Sequence, residues 1–272
     1  YGQRSLGSPR TLTAITKDDI HDFAAAHLAR DNLVVAAAGD ISPEELKVVL
    51  DRVFGDLPAK STLTPVADVV WPGEPASILV PREGTQTVLM FARPGPRRDN
   101  PDWYAAEIVN YILGGGGFTS RLMHEVREKN GLTYGIDTGL APMDHAGMLI
   151  GSANADNPKA ARAWDLTRRV WRDLYENGVK PEEVKAAKDY LTGSLPLTLT
   201  STHAIAEVLV GIQIERLGRD YLDRRDDYLR AVTDEDIQNV IKKWFDPEAA
   251  TLVMVGKPEN VTPTRTSEQL RE

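Results

Sequence analysis

Cysteine is absent from the 272 residues of the chain. Its absence excludes disulfide bonds, thiolate metal ligands and cysteine nucleophiles, but leaves the redox compartment open, because it fits cytosolic and periplasmic proteins alike. Apolar runs of about 18 residues, the length that crosses a bilayer as a helix, are also missing. The sequence therefore predicts neither a disulfide framework nor a membrane span.

Basic residues are too few for a polyanion-binding surface. There are 32 lysines and arginines against 40 acidic residues, which gives a formal net charge of -8 and a pI near 5.3. This charge has the wrong sign for nucleic acid or an anionic membrane, so neutral or cationic partners are expected. The first residues, Tyr1 to Arg4, show neither an initiator methionine nor signal-peptide features, and we expect them to lie inside a longer polypeptide.

Histidines are few and wrongly spaced for a metal centre. A hydrolytic His-x-x-Glu-His motif needs two imidazoles on one helix face and a carboxylate base. None of the five histidines has another histidine three or four residues away. His124 and Glu128 form an i, i+4 pair, but two ligands make no metal site, and we interpret the pair as structural. The chain is predicted to hold no metal and no catalytic residue.

The N-terminal part of the chain shows a helix, a buried strand and a second helix. Thr16 is a suitable N-cap for the first helix. Residues 32–39 (NLVVAAAG) form an apolar run typical of a buried strand, and Pro43 begins the second helix. Residues 55–75 are rich in proline, serine and threonine without periodicity, which predicts a linker.

The pattern after the linker predicts an α+β fold, in which helices cover mainly one face of an antiparallel sheet of five or six strands. The expected strands lie at 78–81, 85–92, 132–141, 148–155 and 250–255. The expected helices lie at 101–113, from the cap Thr119 to 130, and in four stretches between 158 and 245.

Sliding the chain against itself by 217 residues reveals a repeat. Six residues between Leu12 and Gly39 fall on identical residues between Leu229 and Gly256, without a gap. The order of elements, a capped helix followed by an apolar strand and a glycine, also matches, which favours duplication. The chain is therefore predicted to hold one complete copy and the last quarter of another. The broken copy should expose apolar helix faces, which carry Phe23, Val49 and Val53.

The most specific pattern is residues 114–135, GGGGFTSRLMHEVREKNGLTYG. It resembles the second-domain signature of the M16 family (insulinase, pitrilysin and mitochondrial processing peptidase). In that signature a glycine-rich turn and an SRL-x-x-EVREK helix lead through Gly-Leu-x-Tyr into a strand. Residues 31–42 (DNLVVAAAGDIS) and 54–58 (FGDLP) resemble the end of the family's first domain. The resemblance implies a remnant of a first domain at 1–57, a linker at 58–75, a second, inactive, substrate-contacting domain at 76–258 and a tail at 259–272.

In this family an arginine and a tyrosine seven residues apart contact the bound peptide, and the matching residues are Arg127 and Tyr134. Both side chains can donate hydrogen bonds to peptide oxygens. Spacing alone favours a structural interpretation, in which Arg127 is a solvated cation in the last helical turn and Tyr134 is an aromatic residue on a strand face. The family resemblance reverses that preference and favours peptide contact. The loop expected to support the pair consists of Gly114, Gly115, Gly116, Gly117, Phe118, Ser120 and Arg121.

The resemblance implies a substrate-binding, non-catalytic part of a zinc metalloendopeptidase. Such a chain is inactive alone and works with a zinc-bearing M16 domain or subunit, as a hetero- or homodimer, with zinc on the upstream domain or the partner. The details are most similar to bacterial M16 proteins that are inactive partners of a catalytic subunit, and this likeness alone favours the periplasm. Two alternatives stay open: a piece of a catalytic chain whose His-x-x-Glu-His lies upstream, and a purely structural M16-like subunit.

We predict that the purified chain retains far less than one zinc ion per molecule after dialysis and cleaves no peptide alone. A catalytic zinc site needs three protein ligands and a water molecule, and no spacing in the sequence supplies three. Elemental analysis of the dialysed protein is the measurement. One tightly held zinc ion per chain would show that the prediction is wrong.

Overall fold

The part of the chain that the computed structural model describes consists of residues 1–2, 4–71 and 73–267. It falls into two compact units, one formed by residues 1–66 with 198–218, and the other by residues 67–197 with the chain from 219 onwards. The four segments inferred from the family resemblance stay a prediction. Residues 198–218 belong with the first unit although they lie far along the chain.

The first unit contains the helices α1 (Pro9–Ala14), α2 (Lys17–His27), α3 (Pro43–Phe54) and α7 (Thr202–Ile214), numbered in chain order. The predicted cap of α2 is confirmed. The hydroxyl of Thr16 accepts the N–H of Asp19 at 3.2 Å, and the Asp19 carboxylate accepts the N–H of Thr16 at 2.8 Å. These reciprocal bonds satisfy amide groups that have no partner inside the helix.

Apolar side chains of the first unit are largely exposed. Of its described residues, only Ala29 is buried. Phe23 of α2 is 60% exposed and Val53 of α3 is 58% exposed, whereas Val49 is half-buried. These apolar helix faces therefore have little cover within the described part of the chain.

The predicted buried strand at 32–39 does not form. The segment contains no strand, and Val34 is 38% exposed. A strand needs a neighbour that completes its backbone hydrogen bonds, and within the described residues no strand pairs with this segment. The Val35 carbonyl instead accepts a hydrogen bond from Nε2 of Gln213 in α7, at 3.0 Å.

The second unit is built on a six-stranded sheet. Its strands are β1 (Ser77–Pro81), β2 (Gln86–Pro94), β3 (Ile136–Met143), β4 (Ala146–Asp156), β5 (Thr251–Gly256) and β6 (Arg265–Thr266). Their order across the sheet is β3-β4-β2-β5-β1-β6; β1 runs parallel to β5 and β6, and the other pairs are antiparallel. The α+β class is confirmed. The sheet is mixed because long crossovers, not hairpins, join β1 to β5 and β6.

Two helices, α4 (Trp103–Asn110) and α5 (Ala160–Asn177), pack on one face of this sheet, and α6 (Pro181–Ser194), α8 (Tyr221–Ala231) and α9 (Asp234–Trp244) pack on those helices. Along β2, Leu89 and Phe91 point into the core beneath these helices. Val88 and Met90, which alternate with them, are 37% and 44% exposed on the other face, as the two-residue period of a strand requires. The other face of β2 is therefore open within the described residues.

Some element boundaries differ from the predicted ones for local reasons. Five helices, not four, follow β4 up to residue 245, because Ser201 caps the start of α7 and Thr233 caps the start of α9. The predicted strand at 132–141 begins only at Ile136. The Thr133 hydroxyl lies 2.6 Å from the Asn154 carbonyl oxygen and so takes the place of a backbone ladder bond.

Arg93 is a buried cation on the covered face of β2. It is 6% exposed, and its guanidinium donates to the carbonyls of Pro94, Asp246 and Lys243 at 3.2, 2.9 and 3.1 Å. The last two carbonyls lie at the end of α9, where helical carbonyls lack partners and a cation is favourable. Burial lowers the pKa of Arg93, and the three carbonyls replace the water that it loses.

We predict that Gly151→Ala destabilises the second unit and that Gly139→Ala changes its stability little. A Cβ at Gly151 would lie 2.2 Å from Cζ of Phe91 and 2.8 Å from the Asp137 carbonyl oxygen, whereas a Cβ at Gly139 meets nothing within 4 Å. Overpacking of this kind costs about 1–3 kcal/mol. Denaturant unfolding followed by circular dichroism is the measurement.

The double variant Phe91→Ala with Gly151→Ala isolates the clash, because the ring that the new methyl group meets is removed. Its loss should be smaller than the sum of the two single losses. Equal losses for the two glycine variants would contradict the packing described here.

Candidate functional site

The glycine run lies where the chain leaves α4 and approaches β3. After α4, residues Tyr111–Gly115 form a π-helical turn and Gly117–Thr119 a 3₁₀ turn. A Cβ at Gly114 would lie 2.5 Å from Oγ1 of Thr138 in β3, and Gly117 has a φ of +56°. Glycine meets both demands at no steric cost. The run therefore provides a close backbone approach to β3 and a left-handed turn.

The helix after the glycine run begins at Arg121 and is capped by Ser120, not by Thr119 as the sequence predicted. Ser120 is fully buried; its Oγ donates to the Gly117 carbonyl at 2.8 Å and accepts the N–H of Met123 at 3.4 Å. The Thr119 hydroxyl donates to another carbonyl of the glycine run. Most of this helix has π-type hydrogen bonding, a form that is frequent at functional sites.

Arg127 lies in the π-helical segment and rests on the ring of Phe118, with its Cζ 4.9 Å from the ring centroid. Phe118 is 63% exposed, so this cation–π pair lies at the surface. Within the described part of the chain, Arg127 forms no ion pair. Its N–H groups are therefore not used by a carboxylate.

Tyr134 lies between this helix and β3 and is 77% exposed. The chain reverses at Gly131, which has a φ of +58° and donates its N–H to the Arg127 carbonyl at 2.9 Å. The hydroxyl of Thr133, a buried residue, then bonds to the Asn154 carbonyl of β4. The backbone on either side of Tyr134 is thus fixed, while its ring lies in solvent.

Arg121 uses its guanidinium within the protein. Its Nε and Nη2 donate to the Glu183 carboxylate at 2.7 and 2.6 Å, and Nη2 also donates to the Gly178 carbonyl at 3.1 Å. Burial opposes ionisation of Glu183, but hydrogen bonds from Arg121 and from the N–H of Lys180 outweigh it and hold the pKa of that carboxyl below its usual value. Arg121 therefore joins the helix to the α5–α6 connection.

Neither a metal site nor a membrane-spanning helix is found among the described residues. These residues contain no group of three or more His, Asp or Glu side chains that could hold a metal ion. His124 and Glu128 form the predicted pair, with Nδ1 3.0 Å from the carboxylate, and two donors do not fit a catalytic zinc ion. None of the described helices is long and apolar enough to span a bilayer.

Comparison with known proteins gives a family match and several curated relatives. Residues 14–191, more than half of the chain, match the family model described as peptidase M16 inactive domain. An uncharacterized zinc protease of Streptomyces coelicolor is 30% identical over 210 residues, covering 75% of this chain and 46% of that protein. Another, of Bacillus subtilis, is 26% identical over 209 residues, covering 75% and 50%. The chain thus spans about half the length of these relatives.

A solved structure shows the same fold. The peptidase M16 inactive domain from Pseudomonas fluorescens superposes with a TM-score of 0.85 at 31% identity. The superposition covers 97% of this chain and 62% of that chain. The likeness therefore extends through nearly all of the sequence.

We predict that Arg121→Ala and Glu183→Gln each destabilise the second unit and that their effects are not additive. Each breaks the bidentate pair, and Arg121→Ala leaves a partly buried carboxylate without its partner, at a cost of about 2 kcal/mol. Because the pKa of Glu183 lies below its ordinary value of 4.5, the stabilisation is present above that pH and is lost as the pH falls below it. Urea unfolding at neutral and acidic pH is the measurement.

Lys185→Ala is the control, because the pair that Lys185 forms with Asp189 on the same helix is exposed and should contribute little. Additive losses in the double variant of Arg121 and Glu183 would contradict the coupling.

Proposed function

The chain belongs to the peptidase M16 family, and from its match to the inactive domain we propose that it is the substrate-binding, non-catalytic part of an M16 zinc metalloendopeptidase. Arg127 and Tyr134 are the residues proposed to contact the peptide. The observation that carries this proposal is the 77% exposure of Tyr134 in a segment whose backbone Thr133 anchors. A polar aromatic that a rigid scaffold presents to solvent is well suited to bind a ligand.

The two side chains supply donors of different kinds. The guanidinium of Arg127 offers a planar fork of N–H groups to peptide carbonyls and keeps its proton at all physiological pH values. The Tyr134 hydroxyl can donate to the oxyanion of a tetrahedral intermediate. Both residues lie close to β3, one of the two edge strands of the sheet. An extended peptide that passes this edge is proposed to meet both side chains.

The hydrolytic zinc ion is assigned to another M16 domain in this proposal. The described residues do not provide the ligands of this zinc ion. The proposed role of this chain is therefore to bind and orient the peptide. The proposed partner is a zinc-bearing M16 domain or subunit, in a hetero- or homodimer.

The length of the relatives favours one form of this arrangement. The chain covers 46% and 50% of two proteins that are named zinc proteases. A zinc-bearing domain on the same polypeptide is therefore a second candidate beside a separate subunit. The sequence of the full-length protein distinguishes them, because an intact His-x-x-Glu-His motif in it makes the whole protein catalytic and a degenerate motif makes it a partner.

In a complex reconstituted with its zinc-bearing partner, we predict that Tyr134→Phe lowers kcat about 10- to 1000-fold with little change in KM, because its donor acts mainly on the transition state. Arg127→Ala should also raise KM, since it removes contacts to substrate carbonyls. Steady-state cleavage of a fluorogenic peptide is the measurement.

Tyr228→Phe is the matched control. Tyr228 lies in α8, and its ring stacks on Tyr104 of α4 with the centroids 5.1 Å apart, so the loss of its hydroxyl should change neither constant. Wild-type kinetics for both Arg127→Ala and Tyr134→Phe would refute the proposal and leave the chain a scaffold.

A further inference from the structure

An apolar groove of about 490 Å³ lies on the open face of the sheet of the second unit. Met90, Ile150 and Val253 line it from β2, β4 and β5, and Trp71 and Pro75 line it from the segment that precedes β1. No element of the sequence pattern predicted this groove, and the Arg127 and Tyr134 site does not include it.

The segment before β1 is held at two points. The N–H of Val69 donates to the His145 carbonyl at 2.8 Å, where β3 turns into β4. The N–H of Ala76 donates to Oγ1 of Thr251, at the start of β5, at 3.3 Å. Trp71 lies between these two points. Its indole therefore forms a wall of the groove that is fastened to the sheet on both sides.

The composition of the open face indicates an apolar occupant. A sheet face that meets only water carries polar side chains in alternation with the core residues. Here the outward residues of β2 after Gln86 are all apolar, with Val88 37% and Met90 44% exposed, and Ile150 and Val253 continue this surface on the two neighbouring strands. Covering these side chains with another apolar group removes apolar area from water, which favours binding.

The lack of accessible charged groups in the groove also indicates an apolar occupant. Arg93 is the only charged residue among the described residues that line the groove, and its side chain is buried on the covered face of β2. It is 6% exposed, and its guanidinium is bonded to three carbonyls. The groove therefore offers no ionic group to a carboxylate, a phosphate or an ammonium ion.

The size of the groove favours a side chain over a protein surface. Twelve described residues line it, whereas a stable protein interface has about 20–30 residues on each side. Its volume lies within the range of about 300–1,000 Å³ that is typical of pockets for small ligands. A few apolar side chains fill such a space, and a second copy of the chain does not.

Strand β4 runs from the groove to the surface beside Tyr134. Ile150 and Asn154 lie on the same face of β4, since they are four residues apart, a distance of about 13 Å along a strand. The Asn154 carbonyl is the acceptor of the Thr133 hydroxyl, next to Tyr134. About four or five residues of extended peptide span this distance.

We propose that the groove binds a large apolar side chain of the peptide, about four or five residues from the position that faces Tyr134. This inference rests on the proposed function, because it assigns the groove to the same peptide. It makes the chain selective for peptides with an aliphatic or aromatic residue at that spacing, in addition to the backbone contacts of Arg127 and Tyr134.

Methionine methyl NMR on the full chain tests the proposal without any need for catalysis. Of the five methionines, Met90 lines the groove and Met254 is a buried reference on the covered face, 1% exposed. The probes are a ten-residue peptide of serine and alanine with one phenylalanine, and the same peptide with that phenylalanine replaced by serine. The expected result is a saturable shift of the Met90 methyl with the first peptide, none with the second, and a stationary Met254 signal.

Variants on one strand provide the second measurement. Val253→Thr places a hydroxyl in the groove and should weaken binding of the phenylalanine peptide about tenfold. Val255→Thr is the matched control on the same face of β5 and outside the groove, and it should leave the affinity unchanged. Circular dichroism of both variants checks that the fold is retained.

The possible results distinguish the groove proposal from the proposed function. If the Met90 signal does not move, or moves equally with both peptides, the groove does not bind the apolar side chain and the proposal is wrong. If Arg127→Ala weakens peptide binding while Met90 stays silent, the proposed function stands and the groove assignment falls. If Met90 responds but Arg127→Ala leaves the affinity unchanged, the role of Arg127 falls, and with it the assignment of the groove to that peptide.

Discussion

The ring of Phe91 fits the core only because the strand beside it has a bare backbone. A Cβ on Gly151 would come within 2.2 Å of this ring, and on α5 the ring meets Trp164 and Trp171, with centroids 5.2 and 5.7 Å away. This packing fixes which face of β2 meets the helices. Because successive strand residues point to opposite faces, it also commits Met90 to the open face. The alternation of side chains along β2 thus places Phe91 in the helical core and Met90 in the apolar groove.

Within the helix after the glycine run, polar groups divide into those that hold the fold and those that face solvent. Ser120 donates a hydrogen bond to the Gly117 carbonyl, and Arg121 donates two to the Glu183 carboxylate. Arg127 rests on the exposed ring of Phe118, and Tyr134, in the loop after the helix, is 77% exposed. A donor held in this way loses little conformational freedom when a ligand arrives, which favours binding.

Local signals in the sequence predicted the capped start of helices such as α2. They did not predict which strands pair with each other. The bonds between Thr16 and Asp19 recur between Thr233 and Asp236 at the same distances. Each pair spans three residues, so the sequence shows it directly. The strand predicted at 32–39 failed because its formation depends on a partner strand, which an apolar run does not specify.

The candidate site was predictable only in part for the same reason. The glycine run and the seven-residue spacing are local, and the family resemblance picked them out. The contact between Arg121 and Glu183 joins residues 62 positions apart, which no spacing rule reveals. The groove was missed because the outer and inner residues of β2 are apolar alike, so the run VLMFA (88–92) gives no sign of which side chains face water.

The membership of α7 in the first unit has a topological consequence. The polypeptide leaves the second unit after residue 197, contributes α7 to the first unit, and returns at residue 219. No single cut in the chain therefore yields both units intact. A piece that starts at residue 67 would carry α7, a helix of mainly apolar sequence (THAIAEVLVGIQI), stripped of its native neighbours, and an apolar helix without cover favours aggregation. A clean excision of the second unit requires bridging residues 197 and 219 with a short flexible connection.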